Sequence, residues 1–220
     1  AATFAMGEAL GPRLGHLRDH LGSSGEMYRA LRGVVMPAEF SGIAGARILD
    51  AGDALERVAG CENRILAASE HESPEAATSR LETTVYMRAQ LLRDADAMSM
   101  AHGLEIRVPF VDHELAQAVW PDLAAYPSLL HHKRMLRDQL AGTIPSDVLK
   151  RRKRGFTLPF DTWMRGSLGD FVRAGLADLE AERWVTPGLA DRTWAAWHQG
   201  KMHWSRPWML AVLGRFLKDA

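Results

Sequence analysis

The sequence has 220 residues, enough for one well-buried domain or for one compact piece of a larger one. Lys plus Arg number 27 and Asp plus Glu number 27, so no global field draws the chain to nucleic acid or to an anionic membrane. Cys61 is the single cysteine, which excludes an intrachain disulfide and a thiolate zinc site and makes a reducing, cytoplasmic setting the default.

Residues 1–6 carry no basic n-region and no initiator methionine, so a signal peptide is not expected and loss of upstream sequence is. No apolar run approaches the roughly 20 residues that span a bilayer. Leu10, Leu14, Leu17 and Leu21 fall on one helical face, with Gly22 placed to close the helix. Residues 70–77 are the one candidate for a short linker. Leu81, Val85, Ala89 and Leu92 form a second helical stripe.

Residues 91–112 depart from ordinary helical surface. A helix runs in and Gly103 breaks it, after which residues 106–111 read as an isolated extended turn. Pro109 biases Val108 toward extended backbone and cannot donate to a ladder. Glu105 and Arg107 project from one side of this strip. Spacing alone favours a structural ion pair there, by about two to one. Asp112 can cap the next helix, whose apolar positions are Leu115, Ala118 and Val119.

A second departure is the run of five basic residues at 150–154, ending on Gly155 and Phe156. It reads equally as a solvated face, a local nucleic-acid patch or a polyphosphate-binding loop. Aromatic residues are not interleaved with it, and residue chemistry does not separate these readings. His131 and His132 are adjacent and cannot share one helical face, so no metal ligands are assigned.

Farther on, Leu168, Phe171, Val172 and Leu176 make a third stripe. Thr186 and Pro187 read as N-cap and first residue of a helix bearing Ala190, Thr193, Trp194 and Trp197, stopped by Gly200. Ser205 can cap the final helix, with Pro207 in its first turn. Its apolar stripe is Trp208, Met209, Val212, Leu213, Phe216 and Leu217. Trp194, Trp197, Trp204 and Trp208 are read as packing residues rather than a ligand cage. The expected fold is all-α.

The string LLRDADAMSMAHGLEIRVPFVDHEL resembles the asparagine synthetase pattern Met-Ser-Met-Ala followed by Gly-Leu-Glu-x-Arg-x-Pro-Phe-Leu-Asp. Glu105, Arg107, Pro109, Phe110 and Asp112 match it, with Val111 in place of Leu. KRMLRDQLAGTIPSDVLKRRKRGF resembles the family's next succession, through Lys133, Leu136, Arg137, Pro145, Val148, Arg151, Lys153, Gly155 and Phe156. The similarity is best over residues 81–163 and looser on either side.

That resemblance implies that residues 1–220 are the helical C-terminal part of an asparagine synthetase domain of the adenine nucleotide α-hydrolase type. Such enzymes activate aspartate with ATP and magnesium as an acyl-adenylate, which ammonia from a glutaminase domain then attacks. Lys153 is carried over as the main catalytic residue and Glu105 as a second. Arg107, Arg151 and Gly155 are carried over to the substrate-binding surface. The family's Ser-Gly-Gly-x-Asp-Ser and Gly-x-Gly-Ala-Asp-Glu loops do not occur in this sequence, nor does the nucleophilic glutaminase cysteine. Ala97 stands where the family has Lys or Arg. The nucleotide-binding sheet and glutaminase are therefore expected as partners supplied by other segments. The chain alone is expected to be inactive and to self-associate through the uncovered face. Two alternatives remain: a helical scaffold that lost the chemistry, and a synthetase of the same family with another substrate, as in β-lactam synthetases and lasso-peptide cyclases.

Overall fold

Apolar residues at three- and four-residue intervals produce helices through most of the described residues. The computed structural model describes residues 10–50, 52–67, 72–129, 133–152, 155 and 158–219. The first helices are α1 (Leu10–Asp19), α2 (Ser24–Arg32), α3 (Pro37–Ile43), α4 (Ala46–Leu49) and α5 (Gly52–Ala67). Next come α6 (Pro74–Leu81), a π-helical segment Glu82–Leu91, α7 (Leu92–Met100), α8 (His113–Ala125), α9 (Arg134–Gln139) and α10 (Ser146–Lys150). The chain ends on α11 (Phe160–Arg165), α12 (Gly169–Ala181), α13 (Leu189–His198) and α14 (Ser205–Asp219). Among the described residues there is no strand, and the fold is all-α. Two compact units are formed, residues 1–62 with 156–220, and residues 63–155.

The core of the first unit lies where α12 meets α14. Val172, Leu176, Leu179, Leu210, Ala211, Met164 and Trp197 are all buried there. The two helices approach closely because small residues face each other. A Cβ on Gly214 would stand 2.1 Å from the carbonyl oxygen of Gly175, and one on Gly175 would stand 2.4 Å from that of Ala211. This approach determines which face of α14 is inside. Pro207, Leu210, Ala211 and Gly214 are buried, whereas Val212, Leu213 and Phe216 of the expected stripe are exposed. Trp208, Met209 and Leu217 of that stripe pack partly buried against the core, while the close backbone approach places Ala211 and Gly214 at the helix contact.

The N-terminal helices are tied to this core by main-chain bonds between residues 43–47 and 183–186. Gly45 donates to Trp184 O at 2.8 Å, and Thr186 donates to Ile43 O at 2.9 Å. A Cβ on Gly45 would lie 2.3 Å from Arg183 O, so only glycine fits the seam.

Three further expectations change. Helix α1 ends at Asp19, short of Leu21; Leu14 and Leu21 are both exposed, and His16 takes the buried position instead. Helix α13 starts at Leu189, not at Pro187, because the Glu180 carboxylate accepts the main-chain N–H groups of Gly188 at 2.6 Å and Ala190 at 3.0 Å. The Thr186 hydroxyl instead donates to Gly42 O at 2.9 Å. Finally, half of the candidate linker is helical: Ser73 caps α6, and Ala76 and Ala77 are buried within it.

In the second unit, Ser73 Oγ accepts from Ala76 N at 3.2 Å, and Asp112 Oδ1 accepts from Leu115 N at 2.9 Å. These caps fix the starts of α6 and α8. Leu81 is buried, and the π-helical turns that follow it widen the backbone before α7.

Candidate functional site

The 91–112 segment folds as its residues dictate. Helix α7 ends at Met100, and Gly103 takes a left-handed φ of +67°. Ser99 pins the reversal. Its carbonyl accepts from His102 N at 2.9 Å and from Leu104 N at 3.0 Å, and its hydroxyl donates to Asp96 O at 3.1 Å. Residues 104–108 form no regular element, with Val108 at φ −122° and ψ 79° rather than in the expected extended backbone, before a 3₁₀ turn at Pro109–Val111 leads to the Asp112 cap.

Within this segment Arg107 Nη2 lies 2.9 Å from Glu105 Oε1. Their side chains are 85% and 69% exposed, so within this unit the pair is set by solvent and by each other. Such a pair stabilises the fold by about 1 kcal/mol at most. Either partner is free to re-pair with a ligand at little cost.

Arg151 follows α10 and donates to Asp147 Oδ2 at 3.1 Å, an i,i+4 pair that is also exposed. Gly155 is exposed, and a Cβ there would meet nothing within 4 Å. Lys153, with Arg154, Phe156 and Thr157, lies outside the described residues, as do His131 and His132. Among the described residues no hydrogen bond or ion pair joins Glu105 or Arg107 to Arg151.

Two features of this region escaped sequence reading: the acidic partner of Arg151 and the backbone conformation of Lys133. Asp147 neutralises Arg151, and its i,i+4 spacing was available as a signal. Lys133 opens α9 with φ +56°, a left-handed conformation that costs a non-glycine residue about 1 kcal/mol. Nothing in a lone lysine announces that.

Two cavities open elsewhere. One, of about 450 Å³, is lined by Arg80, Thr83, Thr84, Gln117 and Trp120 beside the π-helical segment. The other, of about 340 Å³, lies between α12 and α13 against Asp170, Arg173, Asp191 and Trp194. Neither is lined by Glu105, Arg107, Arg151 or Gly155.

The asparagine synthase family model matches residues 8–216, nearly the whole chain. The chain belongs to the asparagine synthase family. It is 31% identical over 105 residues to asparagine synthetase [glutamine-hydrolyzing] 1 of Bacillus subtilis, covering 46% of this chain and 16% of that protein. It is 33% identical over 120 residues to a putative asparagine synthetase [glutamine-hydrolyzing] of Mycobacterium tuberculosis, covering 53% and 18%. Asparagine synthetase [glutamine-hydrolyzing] of Bos taurus is 31% identical over 120 residues, covering 49% and 21%. The matched regions are thus about a fifth or less of each relative. No solved structure is significantly similar.

The described residues do not by themselves fit the ATP and magnesium that the family implies. Arg107 is neutralised by Glu105, and Arg151 by Asp147, on open surface. A triphosphate needs convergent donors and charges held in a concave site. Among the described residues no helix is long and apolar enough to cross a membrane.

Proposed function

We propose that this chain is the helical C-terminal part of the synthetase domain of a glutamine-hydrolysing asparagine synthetase, working in the cytoplasm. The family match over residues 8–216 is the observation that carries the reading. Nucleotide-holding and glutaminase segments come from outside these 220 residues, in keeping with the small share of each relative that the matched regions cover. The chain contributes Lys153 as the catalytic cation. A compact ammonium stabilises negative charge as it develops during acyl activation and transfer. Glu105 and Arg107 brace or line the aspartate side of the pocket, exchanging their mutual pair for ligand contacts. Arg151 and Gly155 shape the loop that presents Lys153, with Asp147 fixing the arginine.

The test is aspartate-dependent pyrophosphate release from Mg-ATP by the full-length protein containing this chain. Stimulation by aspartate, with asparagine as product, is the expected result. Stimulation only by a different carboxylic acid would assign the chain to another amide-forming synthetase. No stimulation by any carboxylic acid would favour a scaffold.

A further inference from the structure

His16 lies near the end of helix α1, and His20, four residues on, lies in the turn that follows it. Their rings stack with centroids 4.4 Å apart and planes inclined by 28°. His16 is buried, and its Nε2 lies 2.8 Å from Oε2 of Glu26. Glu26 stands in the first turn of α2, which is held in place by the Ser23 cap. His20 is exposed, with Nδ1 only 3.0 Å from the main-chain carbonyl of His16. A carbonyl can only accept, so that bond places a His20 proton on Nδ1 and makes Nε2 the nitrogen able to ligate. An imidazole anchored to the main chain through one nitrogen is a common arrangement for metal ligation through the other.

One potential ligand atom from each of His16, His20 and Glu26 lies within 4.8 Å of the others. We infer that these three residues form a binding site for a borderline divalent transition metal of the zinc type, with water completing the coordination. Bonds of about 2.0–2.1 Å in tetrahedral geometry separate ligand atoms by roughly 3.3 Å. The His16–Glu26 pair must therefore open by about half an ångström, and the exposed His20 ring closes the remainder by rotation. A metal at His16 Nε2 displaces the proton that this nitrogen shares with Glu26, and both imidazoles ligate in the neutral form. With the Glu26 carboxylate they leave the dication a net single positive charge. Two nitrogens and one carboxylate select zinc, cobalt or nickel over magnesium and calcium, which prefer all-oxygen sites.

Arg29 limits the affinity. Its Nη1 lies 3.6 Å from Glu26 Oε2 and must give way to the cation, so micromolar rather than nanomolar binding is expected. The ion would clip α1 to α2, reinforcing the bonds from Arg13 to Ala30 O at 3.0 Å and to Gly33 O at 2.6 Å.

The experiment is a cobalt(II) titration of the protein, followed in the visible spectrum, with thermal melts in zinc(II) and magnesium(II). A saturable one-to-one d–d band of low-coordinate cobalt and a rise in Tm with zinc alone are expected. His20→Ala, at an exposed position, should fold normally and abolish both. Glu26→Gln should weaken binding at least tenfold. Absence of the band at millimolar cobalt, an undiminished band in His20→Ala, or an equal rise with magnesium would each overturn the assignment.

Discussion

Arg206 holds Glu39 with both terminal nitrogens, Nη1 to Oε1 at 2.7 Å and Nη2 to Oε2 at 3.0 Å, across 167 residues of sequence. Glu39 also accepts the main-chain N–H of Met36, and Arg206 also reaches Val34 O at 3.0 Å. Both side chains are largely buried. The pair fastens the start of α3 to the start of α14. Removing the guanidinium leaves a shielded carboxylate with one main-chain partner, so Arg206→Ala should cost about 2–4 kcal/mol. Arg206→Lys should recover only part, because an ammonium cannot reproduce the two-pronged bond. Urea unfolding monitored by circular dichroism reads both.

Acid stability should depend on Glu180. The main-chain N–H groups of Gly188 and Ala190 bond its carboxylate at the start of α13 and hold its pKa below the ordinary glutamate value. A depressed folded-state pKa contributes stability that is complete above the unfolded value and is lost as pH falls through the folded one. Glu180→Gln should therefore lower stability at neutral pH and flatten the decline on the acid side, below the usual carboxylate range. A pH series of thermal melts compares the two curves. Parallel curves would show that the carboxylate charge plays no part.

The exposed apolar residues of α7 and of the segment that follows should make the chain adhesive. Met98, Met100, Leu104, Ile106 and Phe110 are all more than half exposed, Phe110 at 74%. Large apolar side chains left to solvent in one stretch of sequence favour association. The isolated chain should bind a hydrophobic dye and self-associate as concentration rises, and Phe110→Ser should reduce both. Light scattering showing a strict monomer at high concentration would contradict this.

Nucleotide binding by the isolated chain should be negligible. Arg107 and Arg151 are already paired, and the sequence holds neither phosphate loop of the family. Calorimetry with Mg-ATP is expected to give no micromolar heat. A micromolar association would place a nucleotide site within these 220 residues.

Sequence periodicity was enough to reveal helices, because a 3.6-residue pattern depends only on which residues are apolar. It read the Gly103 break and the Asp112 cap correctly, since both act through local backbone chemistry. It failed where distant main chain intervenes. The buried face of α14 follows the close approach of Gly175, and the start of α13 follows the Glu180 carboxylate. Neither relationship leaves a local trace. Glu105 and Arg107 were legible as an ion pair from spacing, whereas their catalytic or substrate role rests on the family motif. The spacing of His16 and His20 by itself signals nothing, because Glu26 reaches His16 only through the turn between α1 and α2.

The central claim is that this chain supplies Lys153 to an amide-forming synthetase. Its most direct measurement is glutamine-dependent asparagine formation by full-length protein carrying Lys153→Met, with glutamine hydrolysis followed in parallel. Loss of a charge-stabilising group should depress synthesis by roughly a hundredfold or more. Glutamine hydrolysis should remain near wild type, and Lys150→Met should change little. Lys153→Arg should remain poorly active, because a planar fork does not replace a compact ammonium. Asparagine formation by Lys153→Met within a few fold of wild type would contradict the assignment.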